Sequence, residues 1–125
     1  MFKVYDDYTI AINRGDVGCI DVSAKVSDDE SYMFTSNDVV RLRVFEKNHH
    51  EKVVLVKDAD PVVGQTETVS ICLIKEDTKF CEIINKPKEY WYEIELNPDT
   101  DPMTIVGYDD NGAKVFKLFP EGADE

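Results

Sequence analysis

Carboxylates are the most abundant chemically active side chains of this 125-residue chain, which has 26 Asp and Glu against 14 Lys and Arg. Two carboxylates can share general acid and base work when an apolar setting raises the pKa of one of them. Glu93 and Glu95 lie on one face of a predicted strand, about 6.5–7 Å apart along it. Because Arg41 and Arg43 repeat this spacing on another regular strand, the pattern favours a cross-strand ladder of opposite charges.

The histidines and cysteines do not complete a catalytic or metal-binding pattern. His49 and His50 are adjacent in a predicted turn, and neighbours on a strand would point to opposite faces and chelate poorly. The cysteines Cys19, Cys72 and Cys81 are widely spaced, and we interpret them as reduced thiols. Since the sequence also contains no phosphate loop, GxSxG or HExxH motif, it predicts no catalytic residue, no cofactor, no metal and no enzymatic activity.

Two short motifs predict turns at the start and in the middle of the chain. The tripeptide Arg14-Gly15-Asp16 spells an integrin-recognition sequence, but it interrupts a strand pattern and predicts a turn with Gly15 in a special backbone conformation. Asp77 or Thr78 could cap a short helical turn within 76–84. We expect both motifs to be structural.

A third motif, Asp109-Asp110-Asn111-Gly112, contains neighbouring acidic residues, as calcium-binding loops do. The EF-hand pattern requires a bidentate Glu at its twelfth position, and Pro120 stands there. Asn-Gly between two alternating apolar runs is typical of a tight hairpin turn. The segment therefore predicts a hairpin that joins strands 103–108 and 113–119.

The spacing of apolar residues indicates a chain built from strands. Apolar and polar residues alternate with period two, most clearly in 9–13, 18–26, 39–46, 69–73 and 89–97. This pattern predicts an all-β, antiparallel β-sandwich of about 7–8 strands, with at most one short helical turn. We expect one domain, 1–125, with 119–125 as a flexible tail. The predicted core consists of Val22, Val40, Leu42, Val44, Leu55, Ile71, Leu73, Tyr92, Ile94 and Leu96.

The candidate contact residues are Trp91 and two residues of one long connection. Alternation places Trp91 on the face opposite Tyr90 and Tyr92, and an exposed Trp on a polar face suggests a binding surface. The alternative is that a loop covers Trp91 or that a bulge turns it inward. The connection 58–67 is longer than the usual four to six residues and contributes Asp60 and Gln65 as further contact candidates.

Charge and hydropathy exclude several classes of partner. A net charge of −12 and a pI near 4.5 argue against nucleic acid and against an anionic membrane surface. The N-terminal residues contain no apolar stretch of a secretory signal, and no apolar run approaches the length of a membrane span.

The order of the motifs along the chain resembles one protein family. The segments are TIAINRGD from Thr9, DVVRLRVFEK from Asp38, VSICL from Val69 with EDT from Glu76, YWYEIEL from Tyr90, TIVGY from Thr104, and KLFPEG from Lys117. They resemble the small prophage proteins of Gram-positive bacteria that are similar to the N-terminal domain of phage baseplate upper proteins. The resemblance covers about residues 8–122.

The resemblance implies a fold and a role. The fold would be an immunoglobulin-like β-sandwich, and the role a structural one at the phage tail, with other tail or baseplate proteins as partners and a homo-oligomer as a further expectation. Because a baseplate upper protein continues beyond this domain, a small tail accessory or adaptor protein is expected, made in the bacterial cytoplasm and packed into the virion. The alternative function is a free-standing carbohydrate-binding module with Trp91, Tyr90 and Tyr92 as its stacking platform.

Overall fold

A computed structural model describes residues 1–121 of the chain. The strands, in chain order, are β1 Phe2–Val4, β2 Ile10–Asn13, β3 Gly18–Val22, β4 Lys25–Ser27, β5 Glu30–Ser31, β6 Phe34–Thr35, β7 Val40–Glu46, β8 His49–Asp58, β9 Gln65–Thr66, β10 Val69–Leu73, β11 Lys88–Leu96, β12 Met103–Val106 and β13 Lys114–Phe119. One 3-10 turn, Asp77–Lys79, is the sole helical element of the described residues. None of them forms a helix with the length and hydropathy needed to cross a membrane.

The all-β prediction is confirmed, with more and shorter strands than expected. The large sheet has the order β1-β2-β13-β11-β7-β8, and β12 also pairs with β11. Three two-stranded sheets, β3–β10, β4–β5 and β6–β9, supply the other strands. All pairs are antiparallel except β2 with β13, which run parallel.

One hydrophobic core joins the large sheet to the β3–β10 and β6–β9 sheets, as in a β-sandwich. The inner face of β11 supplies four buried side chains, Tyr90, Tyr92, Ile94 and Leu96, because alternate residues of a strand point to the same face. Ile20 and Ile71 from β3 and β10 belong to the same cluster. The core prediction is confirmed for nine of its ten residues, and Leu55 is half-buried and packs against them.

The predicted hairpin of 103–108 with 113–119 is wrong. β12 pairs with the Ile94–Leu96 end of β11, and β13 pairs with the Lys88–Tyr92 end of the same strand. Both are antiparallel to β11, so they follow one another along a single edge of it, and the segment 107–113 bulges out between them. The turn itself exists locally, since the Gly112 N–H donates to the Asp109 carbonyl oxygen at 2.9 Å.

The cysteine interpretation is also wrong for two of the three residues. Cys19 of β3 lies directly opposite Cys72 of β10, and the two form a disulfide across 53 residues of sequence. Both are on the outer face of this small sheet, because the neighbouring Ile20 and Ile71 fill the core. Cys81 remains a thiol.

The boundaries of two further segments differ from those expected. β8 begins at His49, so the predicted turn at 48–51 shrinks to Lys47 and Asn48, and Asn48 has a positive φ of 64°. Of the predicted tail 119–125, residues 122–125 lie outside the described residues. Phe119 is the last residue of β13, and the carbonyl oxygen of Pro120 accepts a hydrogen bond from Asn13.

Candidate functional site

A pocket of about 330 Å³ opens on the outer face of the large sheet around Trp91. We call it the Trp91 pocket and define it by Phe45, Asn48, His50, Trp91, Glu93 and Tyr108. Its walls come from β7, the turn after it, β8, β11 and the 107–113 segment. Trp91 itself is half-buried, so the outer-face position expected from alternation holds while part of the indole remains accessible.

Strand register brings the first two rings together. Phe45 of β7 lies directly opposite Trp91 of β11, on the face that also carries Arg43 and Glu93. The pairing of β7 with β8 shifts register on both sides of Phe45, as at a β-bulge. Phe45 is only 6% exposed although it is on the outer face, so other pocket residues cover it.

His50 supplies both a third ring and a polar group. Its imidazole packs on Phe45 with the ring centroids 4.7 Å apart and the planes inclined by 60°. Its Nε2 lies 2.8 Å from Oε1 of Glu93, which fixes the imidazole against the wall of the pocket. Arg43 Nη1 lies 3.5 Å from the same carboxylate oxygen. The pocket thus combines apolar ring surface with one carboxylate.

Tyr108 forms the rim of the pocket and is 78% exposed. The segment that carries it is held by Lys114, whose Nζ donates to Asp109 Oδ1 at 2.8 Å and to the Gly112 carbonyl oxygen at 3.3 Å. The bond from Lys114, followed by one from the Asn111 N–H, holds the pKa of the Asp109 carboxyl below its ordinary value. Gly112 has a φ of 92°, a conformation that other residues rarely adopt.

The charged ladder beside the pocket is confirmed. Glu93 lies directly opposite Arg43, and Glu95 directly opposite Arg41. Arg43 approaches both carboxylates, at 3.5 Å and 3.8 Å. Arg41 instead binds Asp58 at 2.7 Å and Asp99 at 3.2 Å. The ladder fixes the register of β7 against β11 more than it stabilises the fold, because exposed ion pairs contribute about 0–1 kcal/mol.

The other contact candidates lie away from the Trp91 pocket. Asp60 is exposed beyond the end of β8, and its N–H donates to the Ser70 carbonyl oxygen. Gln65 pairs with Thr35 in the small β6–β9 sheet. β8 ends opposite Arg41, four residues and about 13 Å along β7 from Phe45. The structure therefore does not bring Asp60 or Gln65 together with Trp91.

Two of the predicted structural turns, 14–16 and 77–78, come together in the fold. The Gly15 N–H donates to the Thr78 hydroxyl at 2.8 Å, and this hydroxyl donates to the Asp16 carbonyl oxygen at 3.0 Å. Arg14 donates two hydrogen bonds to the Cys81 carbonyl oxygen and pairs with Glu121. We call this group the Thr78 cluster: Arg14, Gly15, Asp16, Thr78, Cys81 and Glu121.

The hydrogen bonds and burial of the Thr78 cluster explain the two turn motifs, Arg14-Gly15-Asp16 and Asp77-Thr78. Gly15 has a φ of 85°, which favours glycine. Thr78 is fully buried and does not cap the 3-10 turn, whose N-terminal residue Glu76 has no side-chain cap. Asp77 is the residue that reaches back, accepting from the Ile74 N–H at 2.9 Å and from Lys57 Nζ at 2.8 Å.

The sugar platform of Trp91, Tyr90 and Tyr92 does not form. Tyr90 and Tyr92 are 1% and 3% exposed and face the core. Burial raises the pKa of both hydroxyls, and Tyr92 Oη donates a hydrogen bond to the Tyr8 carbonyl oxygen. The rings that do surround Trp91 come from Phe45, His50 and Tyr108. Sequence reasoning missed all three, although the odd position of Phe45 in β7 signals the outer face.

Within residues 1–121, no three His, Cys, Asp or Glu side chains are grouped closely enough to hold a metal ion. Comparison with known protein families, with curated proteins and with solved structures finds no match. The function is therefore inferred from the Trp91 pocket and its surroundings.

Proposed function

We propose that this chain is a non-enzymatic assembly module of a phage or prophage tail, and that it acts through protein–protein contacts made at the Trp91 pocket. The carrying observation is the convergence of aromatic rings from separate elements on the outer face of the large sheet, away from the core. Tyr, Trp and Phe are enriched at protein contacts, and anchors there are typically aromatic. The tail assignment rests on the ordered sequence motifs.

Tyr108 supports the contact role most directly. A tyrosine that is 78% exposed beside a half-buried tryptophan leaves apolar surface for a partner to cover. Removing such surface from water contributes about 25 cal/mol per Å². Lys114 fixes the segment around Tyr108 before any partner arrives, which lowers the entropic cost of ordering it on binding.

The charge of the chain bears on which partner comes first. A net charge of −12 makes two copies repel one another at low ionic strength. A basic surface on another protein would instead be steered toward this chain. We therefore propose that a contact with a different tail protein precedes any homo-oligomer around the tail axis.

Mass spectrometry of phage particles and site-specific crosslinking test this proposal. The source strain is induced, particles are purified, and the chain is sought among their proteins. In parallel, a photocrosslinking phenylalanine replaces Tyr108, with Ile83 as the control because it is 80% exposed and lies outside both the Trp91 pocket and the connection 58–67. We expect the chain in particles or assembly intermediates, and a crosslink from position 108, but not from 83, to another particle protein.

Three results would overturn the proposed function. One is the absence of the chain from particles and from assembly intermediates of an induced culture. Another is crosslinking to the same particle protein from both positions, which would remove the Trp91 pocket from the contact. Catalytic turnover by the purified domain would also contradict a purely structural role.

A further inference from the structure

We infer that the Trp91 pocket receives a basic side chain of the partner protein, preferably the guanidinium of an arginine. This inference rests on the proposed function, because it names the chemistry of the partner at the same site. Cations bind over the faces of Trp, Tyr and Phe, and Arg does so more often than Lys because its planar group also stacks. The pocket offers the accessible rings of Trp91 and Tyr108, beside the covered ring of Phe45.

The size of the pocket suits a single side chain. A volume of about 330 Å³ is near the lower end of the range for ligand sites, which extends to about 1,000 Å³. The three rings and the His50 imidazole line it on several sides, as in sites that enclose an ammonium or guanidinium group. Tyr108 lines the pocket and is 78% exposed, so a side chain projecting from a docked protein can reach its ring from solvent.

The charges around the pocket are unbalanced toward acid. Arg43 is shared between Glu93 and Glu95, so one cation serves two carboxylates. Lys114 is already engaged by Asp109, and the adjacent Asp110 is exposed. Glu93 Oε1 also lies 2.8 Å from His50 Nε2, so a guanidinium in the pocket would join Arg43 and His50 around this carboxylate. The overall charge of −12 acts in the same direction.

Trp91 provides a direct readout because it is the single tryptophan of the chain. The folded protein is titrated with three Gly-Ser heptapeptides whose central residue is Arg, Lys or citrulline, and separately with glucose and N-acetylglucosamine. Citrulline keeps the planar shape of the Arg head group and removes its charge. We expect Arg to change the Trp91 fluorescence at the lowest concentration and citrulline to bind about five- to tenfold more weakly.

Two carboxylate variants form a matched pair. Glu93→Gln removes the charge that lines the pocket, and Glu95→Gln removes an equally exposed charge one repeat along the same strand, also beside Arg43. We expect Glu93→Gln to weaken the Arg peptide about fivefold and to reduce its advantage over citrulline to about twofold or less, because the attraction of the rings remains. Glu95→Gln should stay within about twofold of the parent protein, since Glu95 does not line the pocket.

The outcomes separate this inference from the proposed function. Equal binding of the Arg and citrulline peptides, equal losses in the two variants, or tighter binding of a sugar than of the Arg peptide would each overturn the cationic occupant. If position 108 still crosslinks to a tail protein, the assembly role survives that result. Conversely, peptide discrimination by Trp91 would stand even if the chain were absent from phage particles.

Discussion

The Thr78 cluster and the Trp91 pocket both gather side chains from distant parts of the chain, but they differ in what they leave open. In the cluster, the Gly15 N–H, the Thr78 hydroxyl and the Arg14 guanidinium all bond to groups of the same chain. In the pocket, the rings of Trp91 and Tyr108 keep contact with solvent. Sites whose groups are satisfied internally hold the fold, whereas accessible apolar rings are available to a partner.

This difference resolves the meaning of the Arg14-Gly15-Asp16 motif. Recognition of such a tripeptide by another protein would require an accessible arginine side chain. Here the Arg14 side chain is only 12% exposed and is bound to Cys81 and Glu121. The Arg14-Gly15-Asp16 motif is thus structural. The more accessible surface is the one around Trp91, which belongs to no recognised motif.

Replacing the buried hydroxyl of Thr78 should give the largest effect. Thr78→Val keeps the shape of the side chain but leaves the half-buried Gly15 N–H and the Asp16 carbonyl oxygen without their partner, and loss of such bonds costs about 1–3 kcal/mol. Urea denaturation should show that loss in the free energy of unfolding. Thr78→Ser, which keeps the hydroxyl, is the control and should lose less. Equal losses in both variants would mean that packing, not hydrogen bonding, holds the cluster.

Asp38 lies in a second region whose polar groups bond within the chain, and its contribution to the free energy of unfolding depends on pH. Burial raises the pKa of Asp38, but hydrogen bonds from Asn97, Thr35 and Tyr32 outweigh it, so the net pKa lies below the ordinary value of 3.8. The carboxylate then stabilises the fold above that value, and its contribution disappears as pH falls through the lower folded pKa. Asp38→Asn should cost about 1 kcal/mol at pH 6 and less at pH 3.

The control for this pH prediction removes the same charge elsewhere. Asp29→Asn changes an exposed residue of the loop between β4 and β5. Unfolding free energies of both variants and of the parent protein are compared at the two pH values. If Asp29→Asn has the same pH dependence as Asp38→Asn, general charge repulsion rather than the Asp38 hydrogen bonds explains the effect.

Sequence periodicity predicted the register of the central strands because it is a local property. Alternation alone placed Tyr92 and Ile94 inside and Trp91 outside, and the matched spacing of Arg43 with Glu93 predicted the β7–β11 pairing. These inferences need only the two-residue repeat of a strand and complementary charges across a pair. The core residues and the outer charged ladder could therefore be predicted from the sequence alone.

The missed features depend on which strands become neighbours, and periodicity does not encode that. The Asn111-Gly112 turn was recognised, but nothing local indicates that β12 and β13 both pair with β11 rather than with each other. Cys19 and Cys72 are 53 residues apart and meet only because β3 pairs with β10. Tyr108 likewise reaches Trp91 through the bulging 107–113 segment, so the full pocket could not be predicted.

Replacing Lys114 tests whether this residue holds the 107–113 segment beside the Trp91 pocket. Lys114→Met keeps an apolar stem in the buried position and removes the bonds to Asp109 and Gly112. The Asp109 carboxylate that loses its partner is 53% exposed and is solvated by water, so we expect the free energy of unfolding to change by less than about 1.5 kcal/mol. Amide hydrogen exchange in 107–113 should nevertheless accelerate, while exchange in β11 stays as in the parent protein. Unchanged exchange in that segment would show that Lys114 does not hold it.

Removing the exposed ring of Tyr108 should have the smallest effect on stability. Tyr108→Ala deletes a side chain that is 78% exposed, and surface changes away from structural features usually stay within about 0.5 kcal/mol. Its free energy of unfolding should therefore match that of Val63→Ala, a control that changes a side chain 93% exposed in the connection 58–67. The Trp91 emission of the folded protein should shift to the red only in Tyr108→Ala, since the pocket rim is lost there and the indole gains solvent. A loss of more than about 1 kcal/mol in the free energy of unfolding would show that Tyr108, like the Thr78 cluster, stabilises the fold. The contrast between the Thr78 cluster and the Trp91 pocket would then be wrong.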